Sequence, residues 1–226
     1  MKPLQALLAL FAFAFLPLNA ASLADLTYTT TDEEVTITDC NEAAGGELVI
    51  PDTIGGNPVT SIGAFAFSNC TSLTSITIGN GVTEIGTYAF YTCSSLTSIT
   101  IPDSVTSIGA AAFFRCTSLT SITIGNGVTS IGRSAFQSCT SLTSITIPDG
   151  VTSIENGAFS VCTSLTSITI PDSVTSIGDS AFGSCTSLTS ITFRGVAPTV
   201  GANAFLEVAD GAVAYAVGSL SFGESG

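Results

Sequence analysis

Six cysteines recur at a constant spacing of 23 residues, and this periodicity constrains the fold more than any other feature of the chain. They are Cys70, Cys93, Cys116, Cys139, Cys162 and Cys185, with no insertion between them. Each interval carries nearly the same sequence, as in CTSLTSITIPDSVTSIGDSAFGS from Cys162 to Ser184. A strict repeat of this length predicts a solenoid, in which each unit buries its apolar face only against neighbouring units.

The alternation of side chains within one unit predicts short strands. Residues 167–170, SITI, alternate polar and apolar, which is typical of a strand with its isoleucines facing inward. The chain then turns at residues 171–173, extends again over 174–177 and turns at Gly178. The remaining residues, 179–184, are too few for a full helix, so we expect one 3₁₀ or α turn that carries Phe182 inward. The unit therefore predicts a β-rich solenoid.

The consensus L-x-x-I-x-I-P-x-x-V-x-x-I-G-x-x-A-F-x-x-C resembles the BspA-like, treponemal-type leucine-rich repeats. The matching residues include Leu165, Ile168, Ile170, Pro171, Val174, Ile177, Gly178, Ala181, Phe182 and Cys185. The resemblance runs from about Glu34 to about Phe222. It implies a right-handed stack of about seven coils with short parallel strands, and it implies adhesion proteins that are secreted or held at the cell surface. The asparagine ladder of better-known leucine-rich repeats has no clear counterpart here, so turn residues or water must satisfy the backbone.

Four segments follow from composition and register. Residues 1–20 read as a secretory signal peptide, with Lys2 before the apolar run 7–16. Residues 21–69 are expected to form an N-terminal cap and a lengthened first coil. Regular 23-residue repeats occupy 70–205, and 206–226 are predicted to be a C-terminal capping tail. The predicted location is therefore secreted or cell surface, with no membrane insertion after signal cleavage.

The cysteines raise the question of disulfides in an exported chain. Equivalent cysteines in stacked coils lie close enough for a bridge, but parallel side chains seldom supply the near-perpendicular torsion that a disulfide needs. We therefore expect free, buried thiols that behave as small apolar side chains. Cys40 falls outside the register and is a candidate for exposure.

Composition argues against several function classes. The chain has no histidine, its only lysine is in the leader, and three arginines oppose 17 acidic residues. The chain lacks the usual bases of catalysis, the basic patch that binds nucleic acid, and the Cys/His cluster that binds zinc. We expect no catalytic residue, no cofactor and no metal. Asn80, Asp103, Asn126, Asp149 and Asp172 form a column that we interpret as turn residues in preference to calcium ligands.

Outward-facing strand positions form two hydroxyl columns. They include Ser75, Thr77, Ser98, Thr100, Ser121, Thr123, Ser144, Thr146, Ser167 and Thr169. Solubility and β-propensity explain them, and so does a binding face for a protein or a glycan. A regular threonine array also resembles ice-binding solenoids, which need a flat face.

Residues that break the repeat are better candidates for specificity. They are Tyr88, Tyr91, Phe114, Arg115, Arg133 and Gln137. Tyrosine and arginine are frequent anchors at interfaces, although drift on a solvent-exposed face explains them equally well. The sequence thus predicts an exported, non-catalytic scaffold that binds an extracellular protein or glycan, and the alternative is a structural surface protein without a specific ligand.

Overall fold

A computed structural model describes residues 20–216 of the 226-residue chain. The predicted signal peptide, apart from Ala20, and the last ten residues of the predicted capping tail lie outside the described residues. The one 3₁₀ helix that the structure describes is Leu23–Asp25, which Ser22 caps with its side chain. All other regular elements among residues 20–216 are strands.

Seventeen strands run through the described chain. In order they are β1 (Leu26–Thr31), β2 (Glu34–Cys40), β3 (Gly45–Ile50), β4 (Thr53–Ile54), β5 (Asn57–Ile62), β6 (Ser72–Ile78), β7 (Glu84–Ile85), β8 (Ser98–Ile101), β9 (Ser107–Ile108), β10 (Ser121–Ile124), β11 (Ser130–Ile131), β12 (Ser153–Ile154), β13 (Ser167–Ile170), β14 (Ser176–Ile177), β15 (Ser190–Phe193), β16 (Thr199–Val200) and β17 (Val213–Ala216).

The strands confirm the predicted solenoid, because equivalent repeat positions pair in parallel. Ile76 lies opposite Ile99 in β6 and β8, and Ile131 lies opposite Ile154 in β11 and β12. The second extended pieces form a ten-stranded sheet that begins with the hairpin β1–β2. The first strands of the coils form a four-stranded sheet, β10-β8-β6-β3, and a three-stranded sheet, β13-β15-β17. The stack has about eight coils, one more than predicted, because β17 in the expected capping tail continues the strand register beside β15.

The segment that carries the phenylalanine consists of consecutive turns in place of the expected helical turn. In residues 63–70, the amides of Ala66, Ser68 and Cys70 donate to the carbonyls three residues earlier. The amides between them point to the next coil, as when the N–H of Phe67 donates to the carbonyl of Ala89 at 2.7 Å. In a helix, all of these amides would donate to carbonyls of the same helix. Consecutive turns leave every second amide free to bond to the next coil, and this favours the turns.

Phenylalanine side chains form a continuous stack through the core. The rings of Phe67, Phe90, Phe113, Phe136, Phe159, Phe182 and Phe205 follow one another with centroids 5.0–5.3 Å apart. Valine, isoleucine and leucine ladders fill the remaining interior, and no polar or charged residue among 20–216 is buried. The core therefore repeats one layer of side chains along the stacking axis, as the sequence predicts.

The cysteines are free and buried, as predicted for the six in register. From Cys93 to Cys185 the thiols donate to a phenylalanine carbonyl of the preceding coil, for example Cys93 Sγ to Phe67 O at 3.1 Å, whereas Cys70 Sγ donates to Cys40 O at 3.8 Å. Burial raises the pKa of the Cys185 thiol to about 11 and that of the Cys139 thiol well above its ordinary range. The expectation of an exposed Cys40 is wrong: it ends β2, is 2 % exposed, and packs against the core beneath the first coil.

Candidate functional site

The hydroxyl columns lie on the outside of the strands, where the sequence places them. Nine of the ten candidate residues are exposed and Ser75 is half-buried, while the isoleucines between them are buried. The face is interrupted at the coil of Ser144 and Thr146, where a single bridge from Thr146 to Thr169 replaces a strand. The Ser/Thr face therefore consists of separate four- and three-stranded sheets and is not one uniform array.

Threonines just before these strands supply the ladder that takes the place of asparagine. The amide and the hydroxyl of Thr97 both donate to the carbonyl of Thr74, at 2.9 and 3.0 Å. Thr120 repeats this arrangement on Thr97. In the turn column, Asp103 Oδ1 accepts from the amide of Asn126 at 2.7 Å. These side chains satisfy backbone groups between coils, in agreement with their interpretation as structural residues.

The irregular residues gather on the turn side of the solenoid, away from the strands. They border a groove of about 960 Å³ that we call the aromatic groove. Its lining consists of Phe65, Tyr88, Tyr91, Ala110, Ala111, Phe114, Arg133, Ser134 and Gln137. Five of the six irregular candidates line it, although they come from three different coils. Only the stacking of coils brings them together.

Two pairs of stacked rings form the aromatic part of the groove. Phe65 and Tyr88 stack with centroids 5.0 Å apart, and Tyr91 stacks on Phe114 at 5.5 Å. Tyr88 meets Tyr91 edge to face at 5.6 Å, which joins the two pairs into one cluster. Phe65 is 53 % exposed and Tyr88 36 %, so the cluster presents a substantial apolar surface to solvent.

The backbone beneath this cluster is in the left-handed region, as it is at the same position of every coil. Phe65 and Tyr88 have φ angles of +61° and +57°. Ala111, Ser134, Gly157, Ser180 and Asn203 follow them in the column with φ of +52° to +65°. The conformation therefore belongs to the repeat, and glycine and asparagine adopt it at the lowest cost. Phe65 and Tyr88 thus place their rings at a position where glycine or asparagine would favour stability.

Positive charge is concentrated at the same place. Arg133 lines the groove. Arg115 lies just outside the groove, with its guanidinium 5.4 Å from the centre of the Phe114 ring. The third arginine of residues 20–216, Arg194, pairs with Asp149 on the other side of the coils. No carboxylate lines the groove. In a chain with a net charge of −13, this region combines apolar rings with guanidinium groups that form no ion pair with any of residues 20–216.

Sequence reasoning missed four residues of the groove, Phe65, Ala110, Ala111 and Ser134. Phe65 lies 23 residues before Tyr88 and has the same repeat position, so alignment of the lengthened first coil with the others could have found it. Ala111 and Ser134 continue this column with small side chains, and the groove opens where they replace rings. Small residues give no signal of their own.

The geometry defines a class of protein: a leucine-rich repeat solenoid that presents surfaces for interaction. The sequence pattern of the BspA type leucine rich repeat region matches six copies, over residues 47–163 and 106–210. The chain belongs to the BspA type leucine-rich repeat family. This family and its relatives are repeat scaffolds, a non-enzymatic class.

Solved structures of bacterial leucine-rich repeat proteins are similar to the chain. The T. pallidum leucine rich repeat protein is 31 % identical, with a TM-score of 0.74 over 80 % of this chain and 86 % of that one. A leucine rich cell surface protein of Faecalibacterium prausnitzii is 38 % identical, with a TM-score of 0.55 over 75 % of this chain. The chain spans only 53 % of that second protein's length. A comparison with curated proteins finds no match.

The F. prausnitzii relative is described as a cell surface protein. Residues 20–216 contain no helix with the length and apolar character needed to cross a bilayer.

Proposed function

We propose that this chain is an exported, non-catalytic binding module that engages an extracellular protein through the aromatic groove. The observation that carries the proposal is the surface cluster of stacked rings formed by Phe65, Tyr88, Tyr91 and Phe114. Aromatic rings and arginine supply most of the binding energy at protein interfaces. The cell-surface relative and the signal-like residues 1–20 support export.

Other surfaces give weaker support to a binding site. The Ser/Thr face has nearly the same side chains on every coil, so it offers little chemical variety for a specific ligand. Its threonines suit an exposed strand whether or not anything binds there. The groove differs from coil to coil, and specificity requires such differences.

A binding screen of the purified protein against extracellular-matrix proteins tests the proposal. The groove variant combines Tyr88→Ser, Tyr91→Ser and Arg115→Ser, because serine occupies the equivalent positions in Ser134, Ser160 and Ser138 and the fold should persist. The control variant combines Thr77→Lys and Thr123→Lys on the strand face. We expect a saturable interaction that the groove variant weakens at least about tenfold and the control leaves unchanged.

The other outcomes contradict the proposal in different ways. An interaction that only the control variant loses would place the site on the Ser/Thr face. Absence of any interaction with folded protein would favour a purely structural surface role.

A further inference from the structure

We infer that the aromatic groove recognises a flat apolar ring with a carboxylate beside it, presented by a segment of the partner protein. The inference rests on the proposed function and names the chemistry of its ligand. Its first element is an interrupted ring stack. In the core, a phenylalanine on every coil gives an unbroken stack with a spacing of 5.0–5.3 Å. On the surface, the stack of Phe65 and Tyr88 stops after two coils, because the next residue in the column is Ala111.

The groove beside Ala111 has ample volume for one more ring, since it encloses about 960 Å³. Ala110 and Ala111 lie at its base, where Ala110 is half-buried and Ala111 is 3 % exposed. Tyr88 bounds the space on one side and Ser134, two coils further, bounds it on the other, which leaves a gap of roughly 10 Å. Tyr91 and Phe114 form the side wall. A ligand ring placed there would continue the stack on Tyr88, in the arrangement that aromatic pairs prefer.

The second element is the polar end of the groove. Arg133, Ser134 and Gln137 line the side opposite the rings. A guanidinium beside an amide is suited to a carboxylate, which it binds through charge-assisted hydrogen bonds. No acidic residue lines the groove itself, and Asp179 lies in the adjoining depression that Arg133 and Gln137 also border. A ring in the space above Ala111 therefore brings an adjacent carboxylate within reach of Arg133 in the next coil.

The lining favours a protein side chain over a sugar. Six of the nine lining residues are aromatic or alanine, and the floor is made of methyl groups. Sugar hydroxyls turned toward the alanines would lose their water without gaining hydrogen-bond partners there, because the polar residues Arg133, Ser134 and Gln137 belong to the next coil. An aromatic side chain has no such penalty. The carboxylate can come from an adjacent acidic residue or from the end of the partner's chain.

The protein contains no tryptophan, so an indole probe reports binding by its own fluorescence. Three probes separate the contributions: N-acetyl-tryptophan, which carries a terminal carboxylate, N-acetyl-tryptophanyl-aspartate amide, which carries a side-chain carboxylate, and neutral N-acetyl-tryptophanamide. We expect at least one acidic probe to bind with a Kd on the order of 0.1–1 mM. The neutral probe should bind about three- to tenfold more weakly.

Two variants test the site. Ala111→Tyr fills the space with the protein's own ring, at a position where Tyr88 shows that the backbone tolerates one; it should weaken every probe at least about tenfold. The matched control is Asn203→Tyr, which adds the same ring at the same repeat position, away from every lining residue of the groove, and should change nothing. Arg133→Gln should keep ring binding and remove the preference for acidic probes.

Failure of this inference is distinguishable from failure of the proposed function. Absence of probe binding, equal binding of acidic and neutral probes, or binding that survives Ala111→Tyr would overturn the inference. If a protein partner still bound through the groove in the screen above, the proposed function would stand without it. A glycan-array signal that Ala111→Tyr removes, in the absence of probe binding, would assign the groove to sugars and overturn the inference as well.

Discussion

The thiol of Cys93 donates to the carbonyl oxygen of Phe67 at a distance of 3.1 Å, and the amide of Cys70 donates to the same oxygen at 3.2 Å. The same pair of contacts recurs at Phe90, Phe113, Phe136 and Phe159, each time with the cysteine of the next coil. The cysteine column thus fills the core and also gives a second donor to a buried carbonyl. This explains why cysteine, and not alanine or valine, stands at this position.

Replacement of Cys139 separates these two roles. Cys139→Ala removes volume and the donor to Phe113, and we expect it to lower the free energy of unfolding by about 2 kcal/mol. Cys139→Ser keeps a donor and should lower the free energy of unfolding by about 1 kcal/mol. Urea denaturation of the two variants measures both values. A larger loss for serine than for alanine would show that only the apolar character of the thiol matters.

The buried thiols predict that stability falls in alkali. The pKa of Cys185 is raised by burial from its ordinary 9.0 to about 11, so the folded state holds a proton that the unfolded state releases between these values. The resulting stabilisation is fully present below pH 9 and is lost as the pH rises through 11. By pH 11 this residue alone should contribute a loss of about 2 kcal/mol.

Urea midpoints measured from pH 7 to pH 11 test this dependence. Cys185→Ser is the matched control, since its hydroxyl does not titrate in this range. The variant should show a shallower decline above pH 9, and identical slopes for both proteins would contradict the assignment.

The threonine ladder predicts a modest loss upon removal of one hydroxyl. Thr120→Val keeps the branched shape but removes the donor to the Thr97 carbonyl, which lies 3.1 Å away. The carbonyl retains the amide of Thr120, and water reaches this surface, so we expect a loss of about 0.5–1 kcal/mol in the free energy of unfolding. Thr77→Val, on a threonine whose hydroxyl makes no such bond to the preceding coil, is the control and should cost less.

Tyr88 predicts a separation of stability from binding. Tyr88→Gly relieves the left-handed backbone, since Gly157 occupies the same repeat position, but it loses the rings of Phe65 and Tyr91 as neighbours. These effects are each about 1 kcal/mol and oppose one another, so stability should change by less than about 1 kcal/mol. Affinity for a groove ligand should fall at least about tenfold. A large loss of stability with unchanged binding would indicate that the ring serves the fold.

Much of the fold follows from the repeat itself. The alternation in residues 167–170 identifies β13, and Val35 and Ile37 identify the buried face of β2. The conformation of the phenylalanine segment does not follow from the repeat alone, because local propensity allows a helical turn there. Its consecutive turns depend on hydrogen bonds to the next coil, and a single unit does not contain these partners. The strand β17 was missed for a related reason: its residues no longer resemble the repeat, yet the exposed edge of β15 provides backbone partners for them.

The irregular residues could be recognised one by one, but their site could not be assembled from the sequence. The 23-residue period determined the solenoid, its core ladders and the family, because each apolar position must meet its own copy in the next coil. The tertiary structure decided where departures from the repeat meet. Phe65, Tyr91 and Arg133 come from different coils, and stacking at about 5 Å per coil turns them into one groove. The gap beside Ala111 exists only in the tertiary structure, because the rings of neighbouring coils define it and the alanine does not.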